Sequence, residues 1–254
     1  PVAFVMLLVT ILAGKGHIFP WTHEPPTQPE KALWLNPMFW SVRGIVAFGL
    51  ITTISLWFVY TAVRLDVGVL PEWGAKWAQG IRDRMRAGFG DERRELHSTH
   101  SLQGRLAVVL ALVFVFGWVM LSWDLSMSVD PHFQSTMYGW QFFMGGWLVN
   151  IMLLAVMLRL WRNQMGAHQV INERHFHDVG KYVFGFTVFW TYIAFSQFML
   201  IWYANIPEET IFYQVRVEGG WAPISYLLPL LHFAVPFFFF LSRQVKRNRK
   251  LLAI

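Results

Sequence analysis

The chain has 254 residues, no cysteine and a formal charge of +6, with 55% hydrophobic and only 14% charged residues. Without thiols it offers no disulfide, no thiolate metal site, no iron–sulfur ligand and no Cys-x-x-Cys-His haem attachment. The positive charge does not point to nucleic acid, because the basic residues gather at the ends of long apolar runs, where they set topology beside anionic membrane lipid.

The chain opens with an apolar stretch over residues 2–13 that is too short to span a membrane. No basic region precedes it, as a signal peptide would require. It reads as the end of a truncated transmembrane helix, which makes the sequence the C-terminal portion of a longer protein. Residues 14–37 follow as a loop stiffened by Pro25, Pro26 and Pro29.

Five full spans are then expected, over residues 38–63, 106–121, 137–158, 182–203 and 224–241. Each is close to the roughly 20 residues that cross a bilayer as helix. The segments around them, 14–37, 64–105, 122–136, 159–181, 204–223 and 242–254, hold 2, 8, 0, 4, 1 and 5 Lys plus Arg. By the positive-inside bias, 64–105, 159–181 and the tail 242–254 face the cytoplasm, and the other three face the opposite side. The expected fold is an all-α polytopic membrane protein.

Of 14 Trp, many fall at predicted interfaces: Trp34, Trp40, Trp118, Trp123, Trp140, Trp161, Trp202 and Trp221. Their amphipathic rings suit membrane anchoring. Arg43 lies about one and a half turns inside the first span, where a long side chain is expected to snorkel to the interface. In the loop 64–105, Trp73, Trp77, Ile81 and Met85 recur every four residues, with Lys76, Arg82, Arg84 and Arg86 elsewhere around the turn. That pattern predicts a basic amphipathic helix on the cytoplasmic lipid surface. The run Asp91, Glu92, Arg93, Arg94, Glu95 reads as a solvated helix face.

Polar groups within spans are functional candidates, because hydrocarbon penalises them unless they are paired. Residues 123–132 place Asp124, Asp130 and His132 where a helix leaves the membrane with no Lys or Arg nearby in sequence. Such groups suit proton transfer if burial or a partner tunes them, and have no such role if simply solvated. In the third span Gly139, Phe143, Gly146 and Asn150 share a face on which helices can pack closely and Asn150 can bond across. In the fourth, Tyr192, Ser196, Met199 and Tyr203 share a face beside Gln197, whose polar members fit either a water-assisted relay or helix joining. His232 lies between Pro229 and Pro236, which free the carbonyls of Ser225 and of His232 itself, so a hydrated or packed polar pocket is expected there. As imidazole it serves equally as a satisfied neutral group or a proton carrier.

Two stretches, WDLSMSVDPHFQSTMYGW at 123–140 and FWTYIAFSQFMLIWYANIPEET at 189–210, resemble the NrfD-like (polysulfide-reductase-type) membrane subunits of bacterial alternative complex III, and more closely the second of the two such proteins in that complex. The segment HFHDVGK at 175–181 fits the same family as the connection before the second stretch. The resemblance implies a ten-helix protein in the bacterial cytoplasmic (inner) membrane, with these spans as helices six to ten. It implies membership of a quinol:cytochrome c, or similar acceptor, oxidoreductase that uses menaquinol or ubiquinol. This chain would hold no cofactor. Haem c and iron–sulfur clusters would sit in c-type cytochrome subunits and a periplasmic iron–sulfur subunit, and the main quinol site in a sister NrfD-like membrane subunit. A proton path is then expected to run from Asp124, Asp130 and His132 at its periplasmic end to Asn150, Ser196, Gln197 and His232 farther in. A quinol-binding anchor of a molybdenum reductase shares the fold, and a secondary transporter also carries polar, interrupted helices.

Overall fold

The computed structural model describes residues 2–70, 76–164, 166 and 169–248, and every regular element among them is helical. Five helices are long and apolar enough to cross a membrane: Pro37–Val69, Glu92–Val129, Thr136–Arg162, Glu173–Ala204 and Gly219–Leu241. The chain is an all-α, multi-pass membrane protein. Lipid cannot satisfy a bare peptide group, so runs of this composition close their hydrogen bonds internally as helix. A helix of 33 residues is about 50 Å long, well beyond the roughly 30 Å hydrocarbon layer, so the helices outrun the apolar runs.

Local sequence sets several of the ends. Pro37 opens the first span, and the Asn36 side chain accepts hydrogen bonds from the Met38 and Phe39 amides at 3.0 and 3.2 Å. Asn172 and His175 cap the fourth span reciprocally, and it stops at Asn205, whose left-handed backbone (φ 50°) is tolerated by asparagine. The fifth span is interrupted by a π-helical turn, Leu230–Ala234, between Pro229 and Pro236. Proline removes backbone donors there, and the chain widens by one residue rather than breaking.

The molecule forms two compact units, Pro1–Asp124 and Leu125–Ile254. In the first, the Val2–Ile18 helix meets the first span through the stacked Phe4 and Phe48 rings, 5.9 Å apart. The first and second spans meet through Phe48 and Trp118, through Ile51 against Gly117, and through an ion pair of 2.9 Å between Arg64 and Glu95. In the second, Leu148, Ala155, Phe176, Val183 and Phe240 form a buried core between the third, fourth and fifth spans. Trp190 of the fourth span closes against the bare backbone of Gly145.

Several expectations are corrected. The connecting segments 14–37 and 204–223 contain the helices Lys15–Ile18, Pro29–Trp34 and Pro207–Val217, each of the last two started by a proline at its first position. The opening helix continues past residue 13 to Ile18. Trp40 is not an interfacial anchor: it is buried in a cluster with Phe19 and Trp21, with centroids 4.9 to 5.7 Å apart. The expected amphipathic helix divides into a 3-10 turn, Lys76–Ala78, that carries the exposed Trp77 and a helix, Gln79–Arg86, that carries the exposed Ile81, and Trp73 lies outside the described residues. Glu95 is not simply solvated, because it accepts from Arg64.

Candidate functional site

The first unit buries an ion pair between its first and second spans. Arg43 donates from Nε to Asp124 Oδ2 at 2.8 Å and from Nη2 to Oδ1 at 2.6 Å, and Nη2 also reaches the Trp34 carbonyl at 3.2 Å. Its guanidinium lies 3.8 Å from the Trp34 ring centroid and 4.6 Å from that of Phe39. Trp40 Nε1 donates to the Asp124 backbone carbonyl at 2.9 Å. Arg43 therefore does not snorkel, and Asp124, only 1% exposed, is not a lone carboxylate. The planar fork matches the carboxylate with Nε and Nη2 and stacks on the rings, while Nη1 is buried without a partner. Proximity in sequence gave no sign of this partner.

The remaining candidates lie in the second unit. Asp130 and His132 sit in one turn, where the His132 amide donates to Asp130 Oδ1 at 3.1 Å, and the His132 side chain is exposed. Asn150 does not bond across helices: its Nδ2 donates to the carbonyl of Gly146, on its own helix, at 2.8 Å. The face bearing Tyr192, Ser196, Met199 and Tyr203 points largely outward, with Tyr203 85% exposed. Gln197 points the other way and is 2% exposed. Its Nε2 donates to the Tyr213 hydroxyl at 3.3 Å, while its Oε1 is buried without a partner. Burial holds the Tyr213 phenol above its usual pKa, with the Gln197 bond acting in the opposite direction, so it remains a neutral hydroxyl.

His232 lies on the π turn with its ring 4.2 Å from that of Trp190, and its Nε2 is buried with no hydrogen-bond partner. The structure thus aligns Gly145, Trp190 and His232 across the three spans of this unit. Sequence reasoning missed Tyr213 and Trp190, whose spacing gave no signal because each is defined by a helix it meets only in three dimensions.

Around Gln197 and Tyr213 a wall of rings has formed. Phe133 stacks on Phe212 at 3.8 Å, Tyr138 meets Phe133 edge-on at 5.8 Å, and Tyr213 meets Phe198 at 5.3 Å. Ser126 and Tyr138 share a hydrogen bond of 2.6 Å. Arg216 caps this wall, its guanidinium 3.3 Å from the Phe212 centroid and bonded to the Phe212 carbonyl. Segments 125–138 and 198–216 are therefore one packed surface rather than two independent turns.

No group of three or more His, Asp and Glu side chains with metal-holding geometry occurs among the described residues. Compared with models of known protein families the chain finds no match, and no curated protein matches it either.

Proposed function

We propose that this multi-pass membrane protein is a subunit of a bacterial respiratory quinol:cytochrome c, or similar acceptor, oxidoreductase of the alternative complex III type, residing in the cytoplasmic membrane with its C-terminus in the cytoplasm. Its principal task in this reading is to scaffold redox subunits that carry haem c and iron–sulfur clusters, beside a sister NrfD-like subunit that handles menaquinol or ubiquinol.

The observation that supports this best is the packed surface built from Phe133, Tyr138, Phe212 and Tyr213 on the side poor in Lys and Arg. It draws on the stretch at 123–140, and the stretch at 189–210 leads into it, and these are the two that resemble the family. Phe133 is buried and the other three rings are half-buried, so the cluster holds the two segments rigid, and a preorganised rim of this kind suits docking of extrinsic subunits. Within the unit Leu125–Ile254, Asp130, His132, Gln197 and His232 are the groups to which a proton path is assigned, and Asp124 is held in its ion pair. Ser196 and Asn150 are secondary members, the first on an outward face and the second bonded within its helix.

The test is gentle purification from native membranes, identification of companions by mass spectrometry, and a reduced-minus-oxidised spectrum. Companions bearing c-type haem and iron–sulfur clusters are expected. A spectrally silent protein without companions would instead favour a secondary transporter, a reading supported by the interrupted fifth span at Leu230–Ala234.

A further inference from the structure

At the foot of the second unit, Lys181, Arg243, Lys246 and Arg247 gather, and among the described residues two of the four have no carboxylate partner. Ser242 takes an extended backbone (φ −69°, ψ 128°) that ends the fifth span, and Arg243–Arg247 then forms one more helical turn against the fourth span. This turn brings Arg243 and Lys246, together with Lys181, close enough to the His177 ring for all three charges to act on it. Lys181 is paired with Asp178 at 2.7 Å and Arg247 with Glu173 at 3.2 Å. Neither Arg243 nor Lys246 has a carboxylate partner among the described residues. His177 Nδ1 is shielded from solvent and yet makes no hydrogen bond. Arg243 is exposed and Lys246 and His177 are half-buried, so this cationic corner is open to an anion arriving from outside the chain.

The adjoining surface is aromatic. Lys246 Nζ lies 5.0 Å from the Phe184 ring, Phe184 stacks on Phe237 at 5.6 Å, and Phe237 meets Phe233 at 5.1 Å. Phe238 and Leu241 nearby are exposed. A small anion such as free phosphate has no use for such a wall, whereas a lipid needs both a cationic corner for its headgroup and an apolar track for its chains.

We propose that this corner binds one anionic phospholipid of the leaflet on the basic-rich side. Its phosphate is held by Arg243, Lys246 and the His177 imidazole, and an acyl chain lies along Phe184 and Phe237. The site fastens the final helical turn, Arg243–Arg247, to the fourth span.

The test uses the full chain with its native companions, delipidated in neutral detergent and titrated with phosphatidylglycerol, with phosphatidylcholine as the zwitterionic control and native mass spectrometry counting retained lipid. Retention of phosphatidylglycerol over phosphatidylcholine is expected, and the double variant Arg243→Gln, Lys246→Gln should weaken it roughly 30-fold. The charge-matched variant Arg93→Gln, Arg94→Gln, at exposed loop-side positions, should keep it. Equal loss in both variants would reduce the effect to bulk charge. Equal retention in wild type and the first variant, or displacement of the lipid by inorganic phosphate at matching concentration, would overturn the proposal. Unchanged tryptophan-monitored melting of both variants guards against simple misfolding.

Discussion

Arg43 and Asp124 stand 81 positions apart in the chain and meet inside the first unit through two hydrogen bonds of 2.8 and 2.6 Å. The first and second spans are thereby locked at one end by charge, while Arg64 and Glu95 pair them again farther along.

Breaking one member of this pair leaves the other charged, buried and unmatched. Asp124→Leu and Arg43→Met are each expected to cost about 3–5 kcal/mol, and the double variant Arg43→Met, Asp124→Leu to recover much of that loss. A double-mutant cycle measured by thermal unfolding in detergent decides the point. Additive losses would mean that the two side chains do not interact.

Gln197 and Tyr213 offer a second cycle. Tyr213→Phe strands a buried amide whose carbonyl oxygen already lacks a partner, and should cost about 1–3 kcal/mol. Replacing both, as Gln197→Leu with Tyr213→Phe, should be nearly neutral for stability. If the double variant keeps its fold but loses proton-coupled turnover in the proposed complex, the pair serves proton transfer rather than packing.

The same tyrosine predicts a pH dependence. Burial raises its pKa, so the folded state holds the phenolic proton more tightly than the unfolded chain does. The corresponding stability is fully present below the ordinary value of about 10 and is lost as pH rises through the higher folded value. Melting temperatures followed from neutral pH into the alkaline range should therefore fall less steeply in Tyr213→Phe than in the parent.

Gly68 is seated directly under the Phe89 ring, so that any added Cβ collides with it. Gly68→Ala should expel the ring and release the end of the loop from the first span, at a cost of roughly 1–3 kcal/mol. Limited trypsin digestion provides the readout, with faster cleavage at Arg93 and Arg94 expected. An unchanged cleavage rate would show that Phe89 does not hold the loop.

Orientation is open to direct measurement because the chain has no cysteine of its own. Single replacements at the exposed positions Ser98, Ser242, His132 and Glu218 supply labelling sites. A membrane-impermeant maleimide applied to intact cells should modify His132→Cys and Glu218→Cys, and should reach Ser98→Cys and Ser242→Cys only after permeabilisation. The reverse pattern would invert the topology.

What the chain's linear order determined by itself is the helical, multi-pass architecture and the number and approximate place of the spans. Apolar runs near the length of a bilayer leave the backbone one economical way to satisfy its hydrogen bonds, and that constraint is local. Interruption of the fifth span was also legible, since Pro229 and Pro236 remove donors at fixed positions. Tertiary structure alone decided which polar side chains were used. Arg43 looked like a snorkelling residue and Asp124 like an isolated acid until two helices were brought together, and Trp40 looked like an interfacial anchor until Phe19 and Trp21 closed over it. Gln197 and Ser196 are neighbours in sequence, yet one is buried against Tyr213 and the other only half-buried, because successive residues on a helix are turned by about 100°. Spacing identifies a face, whereas the element packed against that face, which spacing does not encode, determines whether it is buried, paired or left to lipid.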